Sequence, residues 1–233
     1  MSAEMPAEHA LLGLLALERG TPAGVGRSEA SQGTHGYDLA RRFAAGGPLG
    51  EVLRLEPGML YHHLKKLARR GWVEAEPDPQ VEAAGGRPPR RRYRLTRLGH
   101  DELHRWLGEP VTHTREIRLE FLVKLYFAQR LDSTQATRLV AEQRARMARL
   151  AASLAEQART LDVPTGGDLV DRAGRAPGAG ADDRFRRQVL ALRLAQTVAT
   201  AAWLTDVAHE ERDLTRGPPS VIVGGEPPSG GKA

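Results

Sequence analysis

The stretch GGRPPRRRYRLTRLG at residues 85–99 holds six arginines in the eleven positions from Arg87 to Arg97, with no acidic residue among them. Each guanidinium is a rigid fork of donors that matches a phosphate, so a cluster this dense points to a polyanion. A second basic group follows from helical spacing. In the run 58–70, Leu60, Leu64 and Leu67 recur at i, i+4 and i+7, and Pro57 suits a first helical position. At about 100° per residue, Gly58, His62, Lys65, Lys66 and Arg69 fall on the opposite side, with Tyr61 on the shoulder. That face is positive and contains no carboxylate, whereas solvated helix surfaces usually interleave Glu with Lys at i, i+4.

Catalytic and metal chemistry is poorly served. HDELH places His100 and His104 at i, i+4, but a zinc protease wants Glu directly after the first His, where Asp101 stands, and no third ligand is evident. His62 and His63 are adjacent and point apart on a helix. Gly24 and Gly26 lack the third glycine and preceding strand of a dinucleotide fingerprint. There is no nucleophile elbow, phosphate loop or carboxylate pair, and no cysteine for thiolate chemistry, disulfides or cysteine-ligated metal. The expectation is a non-enzyme without metal or cofactor.

The elements that must position the basic groups are short. AEHALLGLLALERG reads as a buried helix with Ala10, Leu11, Leu14, Leu15 and Leu17 inward and Gly20 as its stop. Residues 20–34 read as a Gly/Ser/Thr-rich loop. YDLARRFAA reads as a second helix that turns Tyr37, Leu39 (or Ala40) and Phe43 toward a core before GGPLG breaks it. After the basic helix and Gly71, WVEAE alternates as a strand, PDPQVEAAGGRPP is a loop, and RRYRL alternates again. This order makes a winged helix-turn-helix in an α+β, mainly α, chain. Thr96 then caps a helix carrying Leu98, Leu103, Trp106 and Leu107, ended by Pro110.

From Arg115 the character changes to long helices. Val140, Gln143, Met147, Leu150, Leu154, Gln157 and Leu161 follow a 3,4 spacing, produced either by a coiled-coil seam or by packing within one chain. Gln143 and Gln157 either fix its register by hydrogen bonding or lie exposed if the seam is shorter. A Gly/Pro/Asp-rich insertion at 162–183 precedes a helix from Phe185 to about Arg212, with Phe185, Val189, Leu192, Ala199 and Trp203 as its apolar side. The domain reading is 1–110 winged helix, 111–213 helical dimerisation and effector domain, and 214–233 disordered tail. A net charge of +5 and a pI near 9.9 fit a polyanionic partner. The lack of a leader or a long apolar span leads to an expected soluble, cytoplasmic protein without membrane partners.

HGYDLARRF, LEPGMLYHHLKKLARRGWVEAE and GGRPPRRRYRLTRLGHDELHRWL, in that order, resemble the PadR-like transcriptional regulators. The family's GY motif corresponds to Gly36 and Tyr37, and its recognition helix to Gly58, Leu60, Tyr61, Leu64, Leu67 and Gly71. Its wing corresponds to residues 86–92, and its closing motif to Tyr93, Leu95, Thr96 and Gly99. The likeness runs over about residues 7–110, and REIRLEFLVKLYFA resembles the start of the family's helical dimerisation domain. It implies a homodimeric repressor that binds an inverted repeat in double-stranded DNA and is released by a small hydrophobic or aromatic effector. In that frame His62 and Lys65 are candidates for base contacts. Lys66, Arg69 and Tyr61 are candidates for backbone contacts, and Tyr37 and Gly58 complete that surface. Trp106, Phe121, Tyr126 and Trp203 are the expected effector wall. Two features depart from the family: the 20–34 loop is long, and Glu56 stands where a Ser or Thr cap is expected. The alternative reading is a winged-helix module for protein interaction or for sequence-independent coating of DNA.

Strand alternation divides the six arginines. Tyr93 and Leu95 point inward with Val73, which turns Arg92 and Arg94 toward Glu74 or Glu76 across the ribbon. Arg97 falls in the next helix. The charge left to seek DNA is at the wing tip, Arg87 and Arg90 with Arg91.

Overall fold

The computed structural model describes residues 4–20, 33–77, 91–162 and 179–216 of the chain. Along it run α1 (Glu4–Gly20), β1 (Thr34–His35), α2 (Gly36–Arg41), α3 (Pro48–Val52), α4 (Pro57–Arg69), β2 (Val73–Pro77), β3 (Arg91–Leu95) and α5 (Arg97–Gly108). Then come α6 (Thr114–Glu116), a π-helical turn (Ile117–Phe121), α7 (Leu122–Leu131), α8 (Ser133–Asp162) and α9 (Ala179–Arg216).

The first core forms around α1, which is apolar on nearly every side and is buried from residue 6 to residue 15. Ala10, Leu11, Leu12, Leu14 and Leu15 meet Leu60, Leu64 and Leu67 of α4, Leu103, Trp106 and Leu107 of α5, and Val123 and Phe127 of α7. A methyl group at Gly13 would lie 2.5 Å from the Phe127 ring, so the small residue sets how closely α1 and α7 approach. The sheet is antiparallel in the order β1-β3-β2, with Val73 opposite Leu95, Glu74 opposite Arg94 and Glu76 opposite Arg92. Val73, Tyr93 and Leu95 are buried, as the alternation requires, and Arg94 bonds Glu74 at 3.1 Å and also Glu76.

A compact junction fixes α4 against the ribbon. Gly71 adopts φ 71°, a left-handed conformation that costs glycine little, and its N–H donates to the Ala68 carbonyl at 3.0 Å. The Trp72 N–H donates to Leu67 O, and the Thr96 N–H donates to Trp72 O, both at 3.1 Å. Thr96 Oγ1 donates to Gly71 O at 2.7 Å and accepts from the Gly99 N–H at 3.0 Å. One threonine therefore caps α5, as its sequence position predicts, and also ties that helix to the end of α4.

The second core is built from Val111, Ile117, Phe121, Leu125, Ala128, Leu139, Val140, Met147, Leu204 and Val207. The helical segment after Thr114 serves both cores, since Val123 and Phe127 face the first while Phe121 and Leu125 face the second.

Several sequence expectations change. The periodicity that turns Tyr37 inward fails, because that ring is 68% exposed at the start of α2. Leu98 is likewise exposed, since Gly99, Leu103, Trp106 and Leu107 form the core side of α5. Thr34 belongs to a strand rather than a loop, and the PLG of the GGPLG breaker opens α3. The α8 seam packs within the chain, against α7 and α9. Gln143 is buried, but it bonds both backbone groups of Val111, accepting from N–H at 2.7 Å and donating to the carbonyl at 3.1 Å. Gln157 is exposed and bonds Ser153 on its own helix. Neither glutamine sets a register between helices.

On α9 the inward side is Leu190, Thr197, Leu204 and Val207, because the helix is rotated away from the predicted face. Phe185, Val189, Leu192, Ala199 and Trp203 are exposed. Helix also extends through residue 162, over 179–183 and over 214–216, narrowing the expected insertion and tail. The rest of the 20–34 loop, the insertion and the tail lies outside the described residues.

Candidate nucleic-acid interface

The basic helix divides sharply into two faces. Leu60, Leu64 and Leu67 are fully buried, while Gly58, Tyr61, His62, Lys65 and Arg69 are exposed. Pro57 starts the helix without sacrificing a hydrogen bond, and Glu56 precedes it in extended conformation with no side-chain cap bond. The Glu56 carboxylate is still placed where it favours the helix dipole. Among the described residues, no heavy atom beyond its chain neighbours and the adjoining helix backbone lies within 4 Å of where a Cβ at Gly58 would stand, and the residue is exposed.

Tyr61 is held at the junction with α2. A Cβ at Gly36 would stand 2.5 Å from the Tyr61 ring, so the ring lies flush against the backbone that leads into Tyr37. Tyr93 lies beneath, and its hydroxyl pKa is raised by burial first and then by the neighbouring Tyr61, with Arg91 opposing. Tyr37, Gly58, Tyr61, His62, Lys65 and Arg69 thus share the exposed side of the α2–α4 corner.

Lys66 does not belong to that group. Its ammonium lies 2.6 Å from Oε1 of Glu8, a residue of α1 that is 1% exposed. Arg70 bonds the other carboxylate oxygen at 2.7 Å, and buried His63 stands 3.5 Å from the first. The α4 surface has no carboxylate in its own sequence, but one reaches its flank from another element. Sequence reasoning missed Glu8, whose only signal is an acidic residue in an otherwise apolar helix.

Arg91 is exposed at the outer end of β3. Arg87 and Arg90 lie outside the described residues. Arg94 is occupied by Glu74 and Glu76, as the alternation predicts, and Arg97 is in α5.

The four aromatics of the expected effector wall have different surroundings. Trp106 is buried, stacked on His9 with centroids 4.5 Å apart, and its indole N–H donates to Glu120 at 3.1 Å. Phe121 is buried edge-on to Trp203 at 6.1 Å. Tyr126 packs against Phe127 and lies 3.7 Å from the Arg130 guanidinium. The His100 and His104 rings are 4.3 Å apart, and the described residues contain no group of three or more side chains able to hold a metal ion. Among them, too, no helix is long and apolar enough to cross a membrane.

Two segments of the chain match known protein families. Residues 29–105 match the transcriptional regulator PadR-like family, and residues 117–210 match the virulence activator alpha C-terminal family. The negative transcriptional regulator PadR of Bacillus subtilis is 31% identical over 110 residues, covering 46% of this chain and 56% of its own length. The chain therefore spans little more than half of that curated relative. Among solved structures, that of Bacillus subtilis PadR with operator DNA is 24% identical, with a TM-score of 0.34, covering 88% of this chain and 98% of its own. The Vibrio cholerae virulence activator AphA is 19% identical with a TM-score of 0.32, covering 89% and 99% respectively. Residues 29–105, the segment that matches the transcriptional regulator PadR-like family, hold the α2–α4 corner and the ribbon.

Proposed function

We propose that this chain is a sequence-specific regulator of transcription that binds double-stranded DNA as a homodimer, on an inverted repeat, in the cytoplasm. The observation that carries this reading is the division of α4. One side is wholly buried, and the other presents Tyr61, His62, Lys65 and Arg69 beside Tyr37 with no acidic side chain among them. The major groove of B-DNA admits one α-helix, whose first turns reach base edges while basic residues farther along meet phosphates. His62 and Lys65 occupy the base-reading turns, with Arg69 and Tyr61 on the backbone, and Arg87, Arg90 and Arg91 enter the neighbouring minor groove. The open backbone at Gly58 suits close approach of a phosphate.

Repression is the sense favoured by the name of the Bacillus subtilis relative, a negative regulator. Release by a small effector completes the reading. Homodimerisation is supported by α9, where Phe185, Val189, Leu192, Ala199 and Trp203 recur at 3,4-type spacing on an exposed face.

The test is a gel shift using the promoter beside the chain's own gene against scrambled duplex of the same length. Specific binding should be about a thousandfold tighter or more, and affinity should fall steeply with salt. Equal affinity for both duplexes would replace this reading with sequence-independent coating.

A further inference from the structure

We propose that the cleft bounded by α6, α8 and α9 is a binding site for a small organic polyanion, with two or more carboxylate or phosphate groups on a partly apolar body. The site specifies the effector chemistry of the regulator reading and rests on it only for that role. Binding itself requires no DNA.

The cleft has a volume of about 700 Å³, within the roughly 300–1,000 Å³ typical of small-molecule sites. Arg115 enters it from α6, Arg146 and Arg149 from α8, and Arg193 from α9. Among the described residues none of these four guanidiniums has an ion-pair partner. Two other arginines of α8 do have carboxylate partners. On α8 itself Arg138 pairs with Glu142 and Arg159 with Glu156, the ordinary arrangement of a solvated helix. The carboxylate nearest along the chain to Arg115 is Glu116, which is engaged by the His113 ring at 3.0 Å. Its second oxygen accepts from the backbone N–H groups of Thr112 and His113, both at 2.8 Å.

Three elements therefore converge four like charges on one concavity and supply no compensating charge. A concave site of one sign focuses its field and concentrates counter-ions, and arginine forks bind carboxylate and phosphate bidentately. The cleft also has structure beyond its charge. Leu150 and buried Leu154 give it an apolar side, and Thr114 and Thr197 meet through their hydroxyls at 3.1 Å. A duplex is too large for such a space. A compact anion with an apolar body matches both its charge and its lining.

The experiment is calorimetric titration of the full DNA-free chain at fixed ionic strength, with isophthalate and citrate as polyanionic probes and benzoate as the singly charged control. The wild type should bind isophthalate more tightly than benzoate. Arg146→Ala and Arg193→Ala should each weaken isophthalate and citrate at least tenfold, with circular dichroism unchanged. Arg146→Gln supplies a second, milder variant at the same place. Arg138→Ala, whose side chain pairs with Glu142, should stay within twofold of wild type. The proposal is overturned if neither probe binds the wild type at millimolar concentration, or if the cleft variants bind as well as Arg138→Ala. It is also overturned if those variants change the mass in solution while leaving probe binding intact, which would make the cleft a subunit contact. Promoter affinity measured without probe tests the regulator reading separately.

Discussion

Lys66 lies 2.6 Å from the buried carboxylate of Glu8, while Lys65, one residue earlier on the same helix, is exposed. Two adjacent lysines on the basic helix therefore have different surroundings, and the proposed reading gives only Lys65 a part in binding. Lys65→Ala should lower affinity for the promoter duplex by about 1–3 kcal/mol and relax sequence discrimination, leaving stability within about 0.5 kcal/mol. Glu8→Gln removes the negative centre that Lys66, Arg70 and His63 share, and should cost about 1–3 kcal/mol. That estimate is below the cost of stranding a fully buried charge, because Lys66 and Arg70 are partly exposed and can rehydrate. Thermal denaturation of the variants and their gel shifts on promoter and scrambled duplex separate the two roles. Equal loss of affinity in Lys65→Ala and Lys66→Ala would show that Lys66 abandons Glu8 for DNA.

Gly58 offers a cleaner separation of stability from binding. It sits in the first turn of α4 with open space around its missing side chain, so alanine fits there without a clash. Helix propensity alone makes Gly58→Ala neutral or stabilising by up to about 1 kcal/mol. If the open backbone serves close approach to a phosphate, the same change should weaken duplex binding. A melting temperature that is unchanged or raised, together with weaker binding in a gel shift, is the expected pair of results. Undiminished affinity would remove Gly58 from the interface.

The wing arginines divide by what they face. Arg94 is held by Glu74 and Glu76, an exposed arrangement worth at most about 1 kcal/mol, so Arg94→Ala should change neither melting nor duplex binding strongly. Arg87→Ala or Arg90→Ala should weaken binding several-fold without altering the melting temperature. A loss of affinity in Arg94→Ala equal to theirs would show that the ribbon pairs open when DNA arrives.

Where one principle dominates, sequence reasoning reaches the right answer. Alternation around Tyr93 puts Arg94 across from Glu74, and the i, i+4, i+7 spacing of Leu60, Leu64 and Leu67 sorts the faces of α4. Thr96 is identified as a cap because its hydroxyl has an unsatisfied N–H three residues on. Reasoning fails where a tertiary partner decides. Glu8 is 58 positions from Lys66 in sequence, and no local pattern joins them. Tyr37 follows the period of its short helix yet lies outside, because α2 covers the core with Gly36 and Leu39. On α9, two apolar stripes compete. One contains Phe185, Leu192 and Trp203, the other Leu190, Leu204 and Val207, and composition alone cannot say which one the chain covers itself.

The stripe that α9 leaves uncovered is the surface on which the proposed homodimer would form. Phe185 is 65% exposed and Leu192 59%, with Val189 and Trp203 on the same 3,4 repeat, so burying them against a second copy removes apolar area from water on both sides. Leu192→Glu places a charge in the middle of that repeat, at a position exposed within one chain, so the fold itself should tolerate it. Light scattering at micromolar concentration should then report half the wild-type mass, while circular dichroism and the first melting transition stay near wild type. Binding to an inverted repeat should fall much more than binding to a single half-site, because a monomer loses the effective concentration that linkage gives its second recognition helix. A wild-type chain that is strictly monomeric at the same concentration would refute the dimer. If Leu192→Glu keeps the wild-type dimer mass, the dimer forms on a different face.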